Sequence, residues 1–211
     1  MSVAAEIWEG LRKARVAYAM GKTAFFYRRV FKRIGARSVI YRPVLIGNPR
    51  FISIGERVTI RQGARLEVVL DGVNEAPRLE IGSFTNIEQN VHFACHCRVV
   101  VGERVSVTAN CAIVDVTHPY EDVGDRRGIG SRIDVADSFV EIGDDCFIGI
   151  GALILPNVRL GRHCVVGAHA VVTRSFPDYS VVAGAPARLV KQYRPETGDW
   201  VRADGVVERV A

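Results

Sequence analysis

Few side chains in this 211-residue chain could transfer protons, attack as nucleophiles or bind a metal: five histidines and five cysteines, set among 23 acids. Imidazole is the ordinary general base near neutral pH. Of the five histidines, His118 stands in the run Val116-Thr117-His118-Pro119, with Asp115 three residues before it and Glu121 and Asp122 three and four after. Any of these carboxylates would serve to orient or charge-stabilise the ring, and spacing alone does not choose among them. A structural histidine at a corner of the fold is the competing meaning. His92, His96, His163 and His169 lack such context and are expected at the surface or at corners. Cys95-His96-Cys97 has the look of a metal cluster, but strand alternation sends the two cysteines to one face and His96 to the other, so no metal is expected.

What must position His118 is a repeat with a period of six. Apolar residues recur at Ile54, Ile60, Leu66, then Ile81, Ile87, Phe93, then Val101, Val107, Ile113, then Ile142, Ile148, Ile154, and finally Leu160, Val166, Val172. Glycine follows seven of these fifteen, where average composition gives about one. A period of six matches neither helix nor simple strand; it fits a flat strand plus a corner, three of which make an 18-residue triangular coil. The expected fold is therefore mainly β, a parallel β-helix, with apolar residues inside and glycines supplying corner conformations. Its coils are 54–71, 81–98, 101–118, 142–159 and 160–177, with 36–53 as an imperfect first coil. Cys97, Cys111, Cys146 and Cys164 fall on the inward small position, and Cys146 and Cys164, one coil apart, should stack as reduced thiols. The register breaks at 72–80, at 99–100 and at 119–141, the last a polar excursion directly after His118. Such a loop on a rigid repeat is a functional signal.

Composition is that of an ordinary globular chain, with 48% apolar and 24% charged residues. Charge is uneven: residues 1–50 carry eleven Lys and Arg against Glu6 and Glu9, a net of +9, which leaves −4 for the rest of a chain whose total is +5. Residues 1–35 read as a basic helical segment with a loose stripe of Ile7, Leu11, Tyr18, Phe25, Phe26 and Val30. A solvated or subunit-facing helix is the commoner meaning of such charge, and a peripheral membrane contact through residues 1–35 the functional one. No apolar stretch is long enough to span a bilayer and no secretory signal is evident, so a cytoplasmic protein, at most peripheral at the inner membrane face, is expected. Residues 36–188 form the β-helix domain. Residues 189–211 form a cap, with a short helix over Leu189–Tyr193 and a hairpin in which Trp200-Val201 and Val206-Val207 flank Asp204-Gly205.

The hexapeptides over 54–177 resemble the hexapeptide-repeat acyltransferases, which implies a left-handed β-helix and a homotrimer. The Val116–Pro119 run, Val140-Glu-Ile-Gly-Asp-Asp-Cys-Phe-Ile-Gly, Val171–Pro177 and Val182-Ala-Gly-Ala-Pro-Ala-Arg188 resemble the maltose, galactoside and polysaccharide O-acetyltransferase branch. The resemblance implies that His118 is the general base and acetyl-CoA the co-substrate, without a metal or a nucleic-acid partner. The branch places an asparagine one coil away from the histidine. Here Glu88 occupies that place with Asn86 and Asn90 on either side; Asn90 is the preferred substitute, while Glu88, Asn86 and Glu121 are candidates for contact with the acceptor. For the donor the resemblance implies Gly149, Gly151, Gly167, Ala168 and Thr173 along the pantetheine arm, the small residues allowing its close approach, with Arg174 and Arg188 near the phosphates. The expected activity is O-acetylation of a sugar or glycan hydroxyl in polysaccharide biosynthesis, by direct attack on the thioester. N-acetylation of an amino sugar, and serine or antibiotic acetylation, are the enzymatic alternatives. A non-catalytic or carbonic-anhydrase-like β-helix is the alternative from another class.

Overall fold

Apolar residues spaced by six must all reach one interior, and the computed structural model of the chain, which describes residues 2–72, 74, 76–134, 136–204 and 207–208, shows how. The chain winds as a left-handed parallel β-helix of three flat faces. The first face stacks Arg33–Ile34, Ile52–Ile54, Arg78–Ile81, Arg98–Val101, Phe139–Ile142 and Val158–Leu160. The second stacks Val39–Ile40, Thr59–Ile60, Asn86–Ile87, Ser106–Val107, Phe147–Ile148, Val165–Val166 and Ser180–Gly184. The third stacks Leu45–Gly47, Arg65–Val68, His92–Cys95, Ala112–Val114, Leu153–Ile154 and Val171–Val172. Inward residues form columns such as Ile40, Ile60, Ile87, Val107, Ile148 and Val166, all fully buried. Each such side chain contributes about 1.5–3 kcal/mol by leaving water.

The first coil begins at Arg33, where Arg33–Ile34 already pairs with Ser53–Ile54, slightly before the expected boundary. Ahead of it, a helix spans Val3–Lys22 with Ser2 as its N-cap. The helix is tethered where Thr23 Oγ1 donates to the carbonyl of Ala19 at 2.7 Å and accepts the amide of Ile40 at 3.0 Å. Among the described residues no helix is long and apolar enough to cross a membrane.

The repeated glycines do something other than expected. None of the seven that follow an inward residue has positive φ; the left-handed corner residues are mostly not glycine, as at Arg37, Arg57, Phe84, Arg104, Asp145 and His163. A Cβ at Gly55 would lie 2.5 Å from the amide of Ser83, and one at Gly143 would lie 2.6 Å from that of Arg162. The glycines are there because adjacent coils touch, backbone to backbone.

Two further expectations need correction. Residues Leu189–Tyr193 are not helical; they lie in the strand Ala187–Arg194, antiparallel to Ser180–Gly184. A few residues of weak helical pattern lose to an open sheet edge that must be paired. That strand pairs with Asp199–Arg202, which pairs with Val207–Glu208, while Gly205 and Val206 of the expected hairpin lie outside the described residues. His96 is not on the surface: it is 1% exposed, with Nε2 2.8 Å from Asp71 and Nδ1 3.2 Å from the Cys97 thiol. The strand ends at Cys95, so alternation no longer governs His96 and Cys97.

All five cysteines are buried free thiols, and the amide of Cys164 donates to Cys146 Sγ at 3.3 Å, one coil below. Burial pushes the Cys95 and Cys111 thiols up. Unfolding without reductant should therefore expose five titratable thiols per chain; a count of three, which means one disulfide, would contradict this packing.

Candidate active site

The interruptions of the repeat leave the prism at one edge, between the third and first faces. Residues 69–77 emerge after Arg65–Val68, and residues 115–138 emerge after Ala112–Val114. The stack continues across the longer excursion, since Val100 pairs with both Glu80 and Glu141. His118 therefore stands on a rigid edge with a loop folded beside it.

Asp115 does not serve the histidine. It is 1% exposed, and its carboxylate accepts the amides of His96, Cys97 and Arg98 at 2.5, 2.9 and 2.6 Å. Burial pushes this carboxyl above the usual aspartate range, against the pull of those three donors. Its role is to close the edge of the coil below. Glu121 accepts the amide of Tyr120 and Asp122 that of Gly124, both local contacts that leave neither carboxylate bonded to the ring.

The partner of the imidazole is main chain. His118 Nδ1 lies 2.8 Å from the carbonyl oxygen of Arg132, and two residues on the amide of Asp134 donates to the carbonyl of Thr117 at 3.1 Å. A carbonyl only accepts, so Nδ1 carries the proton and Nε2 keeps its lone pair. The ring itself is exposed. An exposed, tautomerically fixed imidazole can take a proton from a hydroxyl that reaches Nε2.

Glu88 and Asn90 are elsewhere, at the edge between the second and third faces, with Asn86 on the second-face strand that leads into it. Asn86 donates to Glu88 at 2.6 Å, Glu88 lies 3.7 Å from Arg61, and Asn90, a corner residue with φ 58°, donates to Asn110 at 3.1 Å. Glu88 already has a guanidinium beside it. The same edge, two and three coils on, carries Gly149, Gly151, Gly167 and Ala168.

Two of those glycines also meet a packing constraint of the fold. A Cβ on Gly149 would meet the amide of Ala168 at 2.7 Å, and one on Gly151, at φ 69°, would meet the His169 ring at 2.5 Å. The next coil by itself requires both to be small. Ala168, Thr173, Arg174 and Arg188 are exposed. Thr173 and Arg174 follow the third face, on the edge that also bears His118; Arg174 lies over Phe176 at 5.3 Å, and Arg188 is the second residue of the capping strand, one guanidinium nitrogen on the carbonyl of Ala187. A groove of about 910 Å³ between the last coil and the cap, lined by Arg159, Phe176, Tyr179, Tyr193 and Arg194, contains none of these residues.

Sequence reading missed Arg132. A lone arginine in a polar loop carries no signal of burial, yet this one is 8% exposed.

Three stacked parallel faces built from hexapeptides, with a histidine on an inserted loop, define a left-handed β-helix of the hexapeptide-repeat class. Residues 139–174 match the family described as bacterial transferase hexapeptide (six repeats). The chain is 32% identical over 142 residues to a Dictyostelium discoideum protein provisionally named an acetyltransferase, covering 67% of this chain and 68% of that one. It is 29% identical to Escherichia coli WbbJ, provisionally named a lipopolysaccharide biosynthesis O-acetyl transferase, over 86% of this chain and 88% of WbbJ. Its fold matches that of AntD, an N-acyltransferase from Bacillus cereus solved with dTDP and coenzyme A, with a TM-score of 0.64 at 21% identity over 81% of this chain and 89% of AntD. The chain belongs to the hexapeptide-repeat acyltransferase superfamily.

Proposed function

We propose that this protein is an acetyl-CoA-dependent O-acetyltransferase acting on a sugar or glycan hydroxyl, with His118 as general base. The observation that carries the reading is the bond from Nδ1 to the Arg132 carbonyl, which leaves Nε2 free on an exposed edge. Nε2 removes the hydroxyl proton, the oxygen attacks the thioester carbonyl, and the C–S bond breaks as the thiolate takes the proton back from the imidazolium. The ester and free CoA are the products, and no acyl-enzyme forms. WbbJ's name supports a polysaccharide role, and the reading places the enzyme in the cytoplasm, where its thioester donor is made.

The test is thiol release from acetyl-CoA against sugars, nucleotide-sugars, amino sugars and lipid-linked glycans. Release with hydroxyl acceptors is expected; release only with amines would favour N-acylation, as AntD's name allows, and release with none would defeat the enzyme reading.

The site we propose is shared between subunits of a homotrimer. Within one chain the His118 edge and the edge bearing Asn90 and Ala168 lie at opposite ends of the third face, whose strands of two to four residues with their flanking corner residues set them about 15 Å apart. Two prisms side by side bring unlike edges together. Ala168 and Thr173 then flank the pantetheine arm through backbone groups, and Arg174 and Arg188 face the phosphates.

We also place residues 1–35 against an anionic membrane surface. The helix exposes Ile7, Trp8, Leu11 and Tyr18, followed by Phe25 and Phe26, among Arg15, Arg28, Arg29 and Lys32. Apolar and basic groups together suit an anionic interface. The protein should sediment with vesicles containing anionic lipid at low salt, and Trp8→Glu with Leu11→Glu should abolish this. Equal recovery with neutral vesicles, or none with either, would assign the helix face to a subunit contact instead.

A further inference from the structure

We propose that Arg132 is the positioning residue of the site, setting the His118 tautomer from within the loop; the inference rests on the general-base reading of His118. Among its described residues the loop has no apolar core of its own: Val123 and Ile129 are exposed, as are most of residues 120–131. It has the Arg132 guanidinium in place of one. Nη1 donates to the carbonyl of Asp122 at 3.0 Å, Nη2 to those of Asp125 and Arg127 at 2.7 and 2.8 Å, and Nε to that of Arg127 at 3.1 Å. The Asp125 carboxylate balances the charge at 3.4 Å from Nε. Asp125 is itself held down at about 2 by its hydrogen bonds to Arg127, so it is ionised across the neutral range.

One planar fork thus gathers three main-chain carbonyls from residues 122–127, a geometry that the single ammonium of lysine cannot reproduce. The carbonyl of the same residue receives His118 Nδ1, and the ties from residue 118 to 132 and from 134 to 117 lie side by side. Guanidinium and carbonyl of Arg132 are therefore coupled: what fixes the loop also fixes the acceptor that decides which ring nitrogen is bare. If the loop loosens, Nδ1 and Nε2 exchange the proton, and the fraction of rings able to act as base falls.

The experiment compares Arg132→Ala, Arg132→Lys and wild type by ¹⁵N–¹H correlation of histidine-labelled protein at a pH where the ring is neutral, the His118 signal being assigned by its absence in His118→Ala. Wild type should show Nδ1 protonated and Nε2 bare, and both Arg132 variants a mixture. In turnover, kcat should fall about 10²-fold, the scale on which misplacement of a catalytic group acts, with KM for acetyl-CoA changed by less than about threefold. Millimolar guanidinium should recover part of kcat in Arg132→Ala alone. An unchanged His118 tautomer in Arg132→Ala, or equal losses in kcat and in the thermal midpoint for both variants without guanidinium rescue, would overturn the inference. The tautomer is read without turnover: if it shifts as stated while His118→Ala keeps its activity, the general-base reading fails and the positioning role of Arg132 stands.

Discussion

His118→Ala is expected to lower acetyl transfer by about 10²–10⁴-fold, equivalent to about 3–5 kcal/mol of transition-state stabilisation. Affinity for CoA and the unfolding midpoint should stay close to wild type. The separation follows from the position of the residue: the ring is exposed and is bonded to the loop carbonyl of Arg132, while the donor candidates lie on other coils and the core is formed by buried columns elsewhere. A base acts on the proton of the acceptor and so appears in kcat rather than in donor binding. Steady-state kinetics with CoA titration by calorimetry checks both halves. Retention of more than a tenth of wild-type turnover would remove His118 from the chemistry.

The second large effect is recovery by mixing two dead proteins. Ala168→Trp should abolish transfer by filling the edge opposite to that of His118, and it is a better blocking change than one at Gly151, whose added side chain would strike His169 of its own chain. If each site takes His118 from one subunit and the Ala168 edge from the next, co-expressed His118→Ala and Ala168→Trp chains should restore about a quarter of the sites, the product of two halves in a cyclic assembly. The mass by light scattering should be that of three chains. A monomer with full activity, or mixed trimers with no recovery, would place both halves of the site in a single chain.

Individual residues show where sequence reading stopped. The prism was legible because its period is local: every sixth side chain points inward, as at Ile81, Ile87 and Phe93, whatever the loops do. His118 was legible as a candidate because its neighbours form a motif. Its partner was not, because the contact is to a carbonyl fourteen residues away and a backbone oxygen leaves no mark in the sequence. The three nearby acids competed for the role on spacing alone, and burial decided against Asp115. His96 misled in the opposite way: alternation past the end of a strand says nothing about a ring that turns to meet Asp71, 25 residues earlier.

By itself the sequence determined the architecture, since hexapeptide periodicity and the inward thiols admit few folds other than stacked triangular coils, and it singled out a histidine at a break in the repeat as the candidate base. Only the tertiary structure decided how that histidine is held and why the glycines are there. Both depend on groups brought together across coils, a carbonyl to Nδ1 and a backbone to a missing Cβ, and such contacts are set by three-dimensional packing rather than by residue type.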